Sequence, residues 1–391
     1  MIIAHYISHL FAQGGAQIYL QRIAAAQEAA GHAVYYFSKY TSAADFSRVA
    51  LIQVKDDAAL YAEAKRLNVE LLHLHSEVRI MPPSDLAVVR TLQGHRPYCP
   101  SASKFLARNN SPCDRAYSVS GCLWGHVVDR CGSIRPDRLL QNFQDTFNEQ
   151  HILPNLLVLT NSEFLRDQMI AAGYPDHQVQ TLYLCAAPVL NLVAPPSEGT
   201  PRFVFLGRFA PQKGLSWLLK AFAQVSVPAH LDIAGDGNEA ATVRSLIDKL
   251  GLSDRVTLHG WLDSEAVDQL VRASRALIFP SVWHEPAGLV AYEAMLNARA
   301  IIASRVGGIP EGVIDQVTGL LVEPNDTAGL AAQIERLAID WAFAYQLGEA
   351  GHQLAVQSFG IDRQVDRLME LYKQVRSRQT DQAHPRTVSL P

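Results

Sequence analysis

Apolar residues in this chain cluster in short runs of four to six, each followed by a polar stretch, usually glycine-bearing, and then by apolar positions three and four residues apart. The runs read as buried strands and the spaced positions as amphipathic helices, the alternating pattern of a parallel sheet covered by helices. Residues 2–7 open the series, a loop through Gly14 and Gly15 starts a helix carrying Ile18, Leu20 and Ile23 that ends at Gly31, and residues 34–37 form the next strand. Residues 71–76 and 88–95 are two further parallel strands ending in polar groups, among them His73, His75, Gln93 and His95. A second series begins at residues 203–206, passes through a basic glycine loop to a helix with Leu215, Leu218, Leu219 and Phe222, and continues with runs at 231–234, 256–259, 276–280, 300–304 and 319–324. Residues 191–200, rich in Pro, Gly and Ser, separate the two series and read as a hinge. The fold class is therefore α/β, in two doubly wound units.

Polar chemistry gathers after the strands, where open parallel sheets bind ligands. Beyond the run at 276–280, Glu285 and Glu293 stand eight residues apart around Gly288. On an ideal helix this spacing leaves the two acids ~80° apart and ~12 Å along the axis. They read as separate hydroxyl acceptors at opposite ends of an extended ligand, not as the closely spaced carboxylates of a glycosidase. Pro286 is expected in the first helical turn, with free amides near Ala287, Gly288 and Leu289 forming an N-terminus suited to an anion. After residues 203–206, Gly207 leads to Arg208 and Lys213, a planar fork of donors and a mobile point charge that both suit phosphate oxygens. Gly235 and Gly237, after the run at 231–234, let backbone approach a ligand closely. The ligand implied carries both phosphate and sugar hydroxyls.

These features, followed by the Gly307-Gly308-Ile309-Pro310-Glu311 loop, resemble the retaining glycosyltransferases of the GT-B fold, in particular glycosyltransferase family 4. The resemblance implies two Rossmann-like domains whose parallel sheets face an interdomain cleft: an acceptor-binding domain over residues 1–192 with an insertion at about 96–140, a nucleotide-sugar-binding domain over 200–358, a terminal helix over 359–377 crossing back to the first domain, and a disordered tail over 378–391. It implies that Arg208 and Lys213 bind the donor diphosphate, that Glu285 holds donor sugar hydroxyls, and that Glu293 binds the ribose. Gly14, Gly15, Gly207, Gly235, Gly237, Pro286, Ala287, Gly288 and Leu289 complete the donor site. His73, His75, Gln93 and His95 are the acceptor-side candidates, and Gln93 stands where relatives often carry a histidine in a T-x-H pattern. The activity implied is retaining transfer of a hexosyl-type sugar (EC 2.4 class) from a UDP-sugar, with a GDP-sugar as the other donor, to a hydroxyl acceptor in glycolipid or polysaccharide synthesis, with neither metal nor cofactor in the catalysis. A nucleotide-sugar epimerase or glucan phosphorylase explains the paired acids less well. A non-catalytic sugar-nucleotide-binding scaffold is the alternative.

Composition agrees with this reading. In 391 residues, 48% are hydrophobic and 18% charged, as in globular proteins, and the formal net charge of −4 argues against a nucleic-acid binder. No apolar run approaches the ~20 residues that span a bilayer, and residues 1–6 lack the basic start and long apolar stretch expected of a signal peptide. The expected location is cytoplasmic, or peripheral at the inner face of a membrane. Residues 90–140 hold eight Lys or Arg against three acids, interleaved with Tyr98, Phe105, Tyr117, Leu123 and Trp124, a composition fit for an anionic lipid surface or for a solvated loop. Cys99, Cys113, Cys122 and Cys131 fall in the same segment, which reads as loop-like. They lack the C-x-x-C pairs of recognisable zinc sites, and both reduced, scattered thiols and a structural zinc site are open readings. Some members of the resembled family carry a cysteine-bearing insertion here, which implies a structural role in an acceptor lid.

Overall fold

The computed structural model describes residues 1–10, 14–41, 50–186, 189 and 191–383. The first sheet contains β1 (Ile2–Tyr6), β2 (Ala33–Ser38), β3 (Leu51–Gln53), β4 (Leu71–Leu74) and β5 (Val88–Leu92). A short antiparallel ribbon, β6 (Phe105–Leu106) with β7 (Ser111–Pro112), interrupts it before β8 (Leu157–Thr160) and β9 (Val179–Thr181) complete it. The second sheet is built from β10 (Arg202–Leu206), β11 (His230–Ala234), β12 (Val256–Gly260), β13 (Ala276–Phe279), β14 (Ala300–Ser304) and β15 (Leu320–Val322). The strand orders are β3-β2-β1-β4-β5-β8-β9 and β12-β11-β10-β13-β14-β15, parallel throughout. Each sheet thus reverses direction beside its first strand, at β1/β4 and at β10/β13, which is where doubly wound sheets open a ligand crevice.

The continuous apolar runs exist because helices cover both faces: β4, β5, β13 and β14 are buried at every residue. Edge strand β12 is only half-buried over Thr257–Gly260. Helix starts carry the expected oxygen caps, among them Asp56 accepting from the Ala59 amide at 2.8 Å and Ser162 from the Leu165 amide at 3.1 Å.

Three sequence expectations change at the connections. Residues 191–196, part of the expected 191–200 hinge, are bound to the second domain, where Arg272, Arg299, Arg275 and Trp341 donate to the carbonyls of Asn191, Val193, Pro196 and Pro195. Residues 96–140 are not simply loop: they hold the β6–β7 ribbon, the helix Val119–Val127 and the start of the helix Pro136–Ile152. Their cysteines and glycines break the long apolar periodicity without preventing short elements. The terminal helix, Ile361–Ala383, also runs beyond the expected end, so residues 378–383 are helical. Residues 384–391 lie outside the described residues. This helix does pack on the first sheet: Val365, Leu368 and Tyr372 are buried, Arg376 pairs with Glu70, and Gln379 donates to the Ser84 carbonyl at 3.0 Å.

Candidate active site

At the β10/β13 switch point the second domain concentrates charge. After β10, the loop bearing Arg208 closes with a single turn, Pro211–Lys213, and Gly214 at φ 68°. A Cβ on Gly214 would lie 1.8 Å from the Pro280 carbonyl oxygen, so only glycine lets the Lys213 loop reach the segment after β13. There Glu285, 8% exposed, takes three donors on Oε2: Lys213 Nζ at 2.7 Å, Trp283 Nε1 at 2.8 Å and Ser281 Oγ at 3.0 Å. The Lys213 ammonium also lies 5.5 Å from the Trp283 ring centroid and 5.8 Å from that of Phe279. Arg208 is exposed, and its guanidinium has no hydrogen-bond or carboxylate partner among the described residues.

The helix after Glu285 begins later than its sequence suggested. It spans Leu289–Leu296 with Gly288 at its N-cap, so Pro286 and Ala287 belong to the preceding loop. The ideal-helix separation of the two acids therefore does not apply, because Glu285 precedes the helix. The loop is held by the Gly307-Gly308 turn: the Gly308 amide donates to the Glu285 carbonyl at 2.8 Å, and a Cβ on Gly307, at φ 56°, would lie 2.2 Å from that same oxygen. Gly235 and Gly237 support the Arg208 loop from the other side, in close backbone contact with Gly207 and Phe209.

Glu293 faces the first domain, where its Oε1 accepts from Arg22 Nη2 at 2.6 Å. Arg22 is a residue the sequence reading missed. Its signal was present, since it is the only Lys or Arg in the helix Gly15–Ala29. Gly15 lies opposite the helix start, where an added Cβ would meet the Leu289 side chain at 3.9 Å. Glu311 also crosses the cleft and accepts from the amides of Glu163 and Phe164 at 2.8 and 2.7 Å, holding the start of the helix Glu163–Ala171. Ser281 and Trp283 were likewise missed, although polar residues immediately after a buried strand could have flagged them.

The four acceptor-side candidates separate into two pairs. His95 and Gln93 stand at the carboxyl end of β5. His95 donates from Nε2 to the His284 carbonyl at 2.6 Å, accepts from the Tyr98 hydroxyl at 2.7 Å, and meets Trp283 edge-on at 5.6 Å. Burial pushes its pKa down to about 3, so the ring is neutral. Gln93 buries an amide nitrogen with no partner among the described residues. His73 and His75, in contrast, stand at the end of β4 and are buried against His5. His73 uses both ring nitrogens, on the Tyr372 hydroxyl and Thr91 Oγ1, each at 2.6 Å. His75 bonds His5 at 3.1 Å, and His5 bonds Gln27 at 2.8 Å. Polar residues at the end of a strand looked like ligands, but Tyr372 of the terminal helix caps His73, and His5, Tyr19 and His73 enclose His75.

The insertion reaches over the cleft. Asp114 pairs with His284 Nε2 at 2.7 Å, Asn110 and Asn325 exchange bonds at 2.8 and 3.1 Å, and Phe105 packs into the core of the second domain. The basic residues of this region divide: Arg90 is buried against Glu149, Lys104 is buried, and Arg115 pairs with Asp129 at 2.6 Å, whereas Arg108, Arg130, Arg135 and Arg138 remain exposed.

Comparison with known proteins places this geometry. Residues 193–354 match the family described as glycosyl transferases group 1. The alpha-D-kanosaminyltransferase of Streptomyces kanamyceticus is 28% identical over 181 residues, 46% of this chain and 47% of that protein. The chain spans about half the length of the curated relatives it matches. Sucrose-phosphate synthase from Thermosynechococcus elongatus superposes with a TM-score of 0.74 at 23% identity, covering 96% of this chain and 99% of that one. Anabaena HepE in complex with UDP-glucose superposes with a TM-score of 0.71 at 18% identity, covering 96% and 100%. Two parallel sheets of matching order and these superpositions thus give the chain the GT-B fold, with its second domain similar to glycosyl transferases group 1 over residues 193–354.

Proposed function

We propose that this chain is a family 4 glycosyltransferase that moves a hexosyl-type sugar from a nucleoside diphosphate sugar, a UDP-sugar in first place, to a hydroxyl acceptor with retention of configuration. The observation that carries the reading is the Lys213–Glu285 pair at the β10/β13 switch point, with the Arg208 guanidinium in the same loop unpartnered among the described residues. A donor sugar nucleotide offers what each partner lacks: diphosphate oxygens for Lys213 and Arg208, and sugar hydroxyls for the Glu285 carboxylate. Trp283 and Ser281 keep Glu285 oriented when Lys213 turns to phosphate. Charge on the departing diphosphate grows in the transition state, where preorganised cations contribute most. The unpaired end of the helix Leu289–Leu296 adds amides close to the same place. Glu293 takes the ribose hydroxyls at the domain boundary. In front-face attack the leaving phosphate oxygen accepts the acceptor proton, with Gln93 and His95 lining the acceptor side.

The acceptor belongs to glycolipid or polysaccharide synthesis at a membrane surface. On the helix Val119–Val127, the residues Val119, Leu123, Trp124 and Val127 form one exposed apolar face, and Leu140 and Phe147 are exposed on the following helix. Arg108, Arg130 and Arg138 are exposed in the same region. No helix among the described residues is long and apolar enough to cross a membrane, so the contact would be peripheral. The protein would act at the cytoplasmic face.

Thermal stabilisation by a panel of UDP-, GDP- and ADP-sugars tests the donor. A shift with one nucleotide, absent in Glu285→Ala and Lys213→Ala, supports the reading. Binding without donor hydrolysis or transfer to any hydroxyl acceptor favours the scaffold alternative, and no shift with any nucleotide rejects the assigned donor site.

A further inference from the structure

Cys99, Cys113, Cys122 and Cys131 come from four separate parts of the insertion: the chain after β5, the β7 strand's exit, the helix Val119–Val127 and the turn after it. Up to 32 residues separate them, yet all four line one cavity of about 20 Å³, together with Lys104, Arg115 and His126. That volume admits one water-sized or ion-sized occupant.

A second observation points to what the occupant supplies. Lys104 is only 4% exposed, its ammonium donates to the Arg115 carbonyl at 2.8 Å, and it has no carboxylate partner among the described residues. A buried cation without an anion is costly. Four thiols provide none, whereas four thiolates around a divalent cation carry a net charge of −2.

We infer that Cys99, Cys113, Cys122 and Cys131 form a tetrathiolate zinc site that clamps the insertion into a lid. Binding exchanges four thiol protons for one Zn²⁺, with no change of oxidation state. Outer donors are in place: the His126 Nδ1–H, directed to the Cys122 carbonyl at 2.7 Å, also lies 3.6 Å from the Cys131 sulfur, and Ser101 Oγ lies 3.2 Å from the Cys99 sulfur. Among the described residues only His5, His73 and His75 bring three metal-ligating atoms within 4.8 Å of one another. Four sulfurs on one zinc stand ~3.8 Å apart, so uptake draws the cavity walls inward. The histidine trio is a poorer site, because every ring nitrogen but His75 Nδ1 is already hydrogen-bonded. Closure of the cysteine site would fix the β6–β7 ribbon and the helix Val119–Val127 to the end of β5, and with them Asp114 on His284.

The test is zinc content by inductively coupled plasma mass spectrometry on the untagged full chain, purified under reducing conditions without chelator. One zinc per chain is expected, lost in Cys113→Ser and Cys131→Ser and kept in Cys185→Ser. Cobalt exchange into the wild-type chain guards against misfolded variants, and should produce the sulfur-to-cobalt charge-transfer absorption of a tetrathiolate site. A metal-free wild-type chain that gives no such absorption with cobalt, zinc retained by both cysteine variants, or disulfides among these four residues in the freshly purified chain would each overturn the assignment.

Discussion

The two sheets share a strand order around their first strands, but their switch points are used in opposite ways. Beside β10 and β13, the chain ends in Arg208, Lys213 and Glu285, charged groups held at the surface of a cleft. Beside β1 and β4 it ends in His5, His73 and His75, buried neutral rings packed on one another, with His73 capped by Tyr372 of the terminal helix. Topology supplies the crevice, and the residues after each strand determine whether it meets a ligand or another part of the protein. In the first domain, the described acceptor-side groups lie one strand further out, at the end of β5.

The largest expected effect separates the two regions directly. Lys213→Ala should lower kcat by roughly 10²–10³-fold, the scale for losing one preorganised transition-state donor, with a smaller change in donor KM. Equal losses in kcat and donor affinity would remove Lys213 from the leaving-group role. Acidification probes the other switch point. Burial lowers the His5 pKa from 6.5 to about 4 and holds His73 and His75 well below the usual range. Between those values the unfolded chain binds a proton that the folded chain refuses. Stability is therefore full above pH ~6.5 and falls toward pH 4, by on the order of 3 kcal/mol from His5 alone. Urea unfolding at pH 7.5 and 5 measures this, and an unchanged midpoint would mean that the histidines are not buried as described.

Tyr372→Phe leaves His73 Nδ1 without its partner and should cost about 1–3 kcal/mol, seen as a lower Tm with kcat retained. A loss of activity at undiminished stability would assign the buried network a part in catalysis. Glu293→Ala should raise donor KM about tenfold with little change in kcat; an unaltered KM removes it from the ribose site. Arg22→Ala should have the smallest effect, under about 1 kcal/mol of stability, because the Arg22–Glu293 pair is partly exposed. Thermal unfolding reads it, and a larger loss would make that pair a main tie between the domains.

Much of the fold was legible because buried parallel strands are short apolar runs and their covering helices repeat at 3.6 residues. The loops bearing Arg208, Lys213 and Glu285 were legible for the same reason: each follows such a run directly. Pro286 was misplaced because local preference for a proline in the first turn was weaker than the loop packing on Gly307 and Gly308. His73 and His75 could not be separated from Gln93 and His95 by local pattern, since both pairs are polar groups at strand ends. The difference is made by Tyr372, nearly 300 residues further along the chain.

The amino-acid order by itself thus determined the two α/β units, the charged turn after β10 and the acid pair after β13, because periodicity and loop chemistry act over a few neighbouring residues. Tertiary structure alone decided that Lys213 meets Glu285, that Glu293 meets Arg22, that Tyr372 of the terminal helix caps His73 and that four distant cysteines share one cavity. Those contacts depend on which side-chain surfaces are buried together when the sheets, helices and insertion pack, and no local spacing encodes that choice.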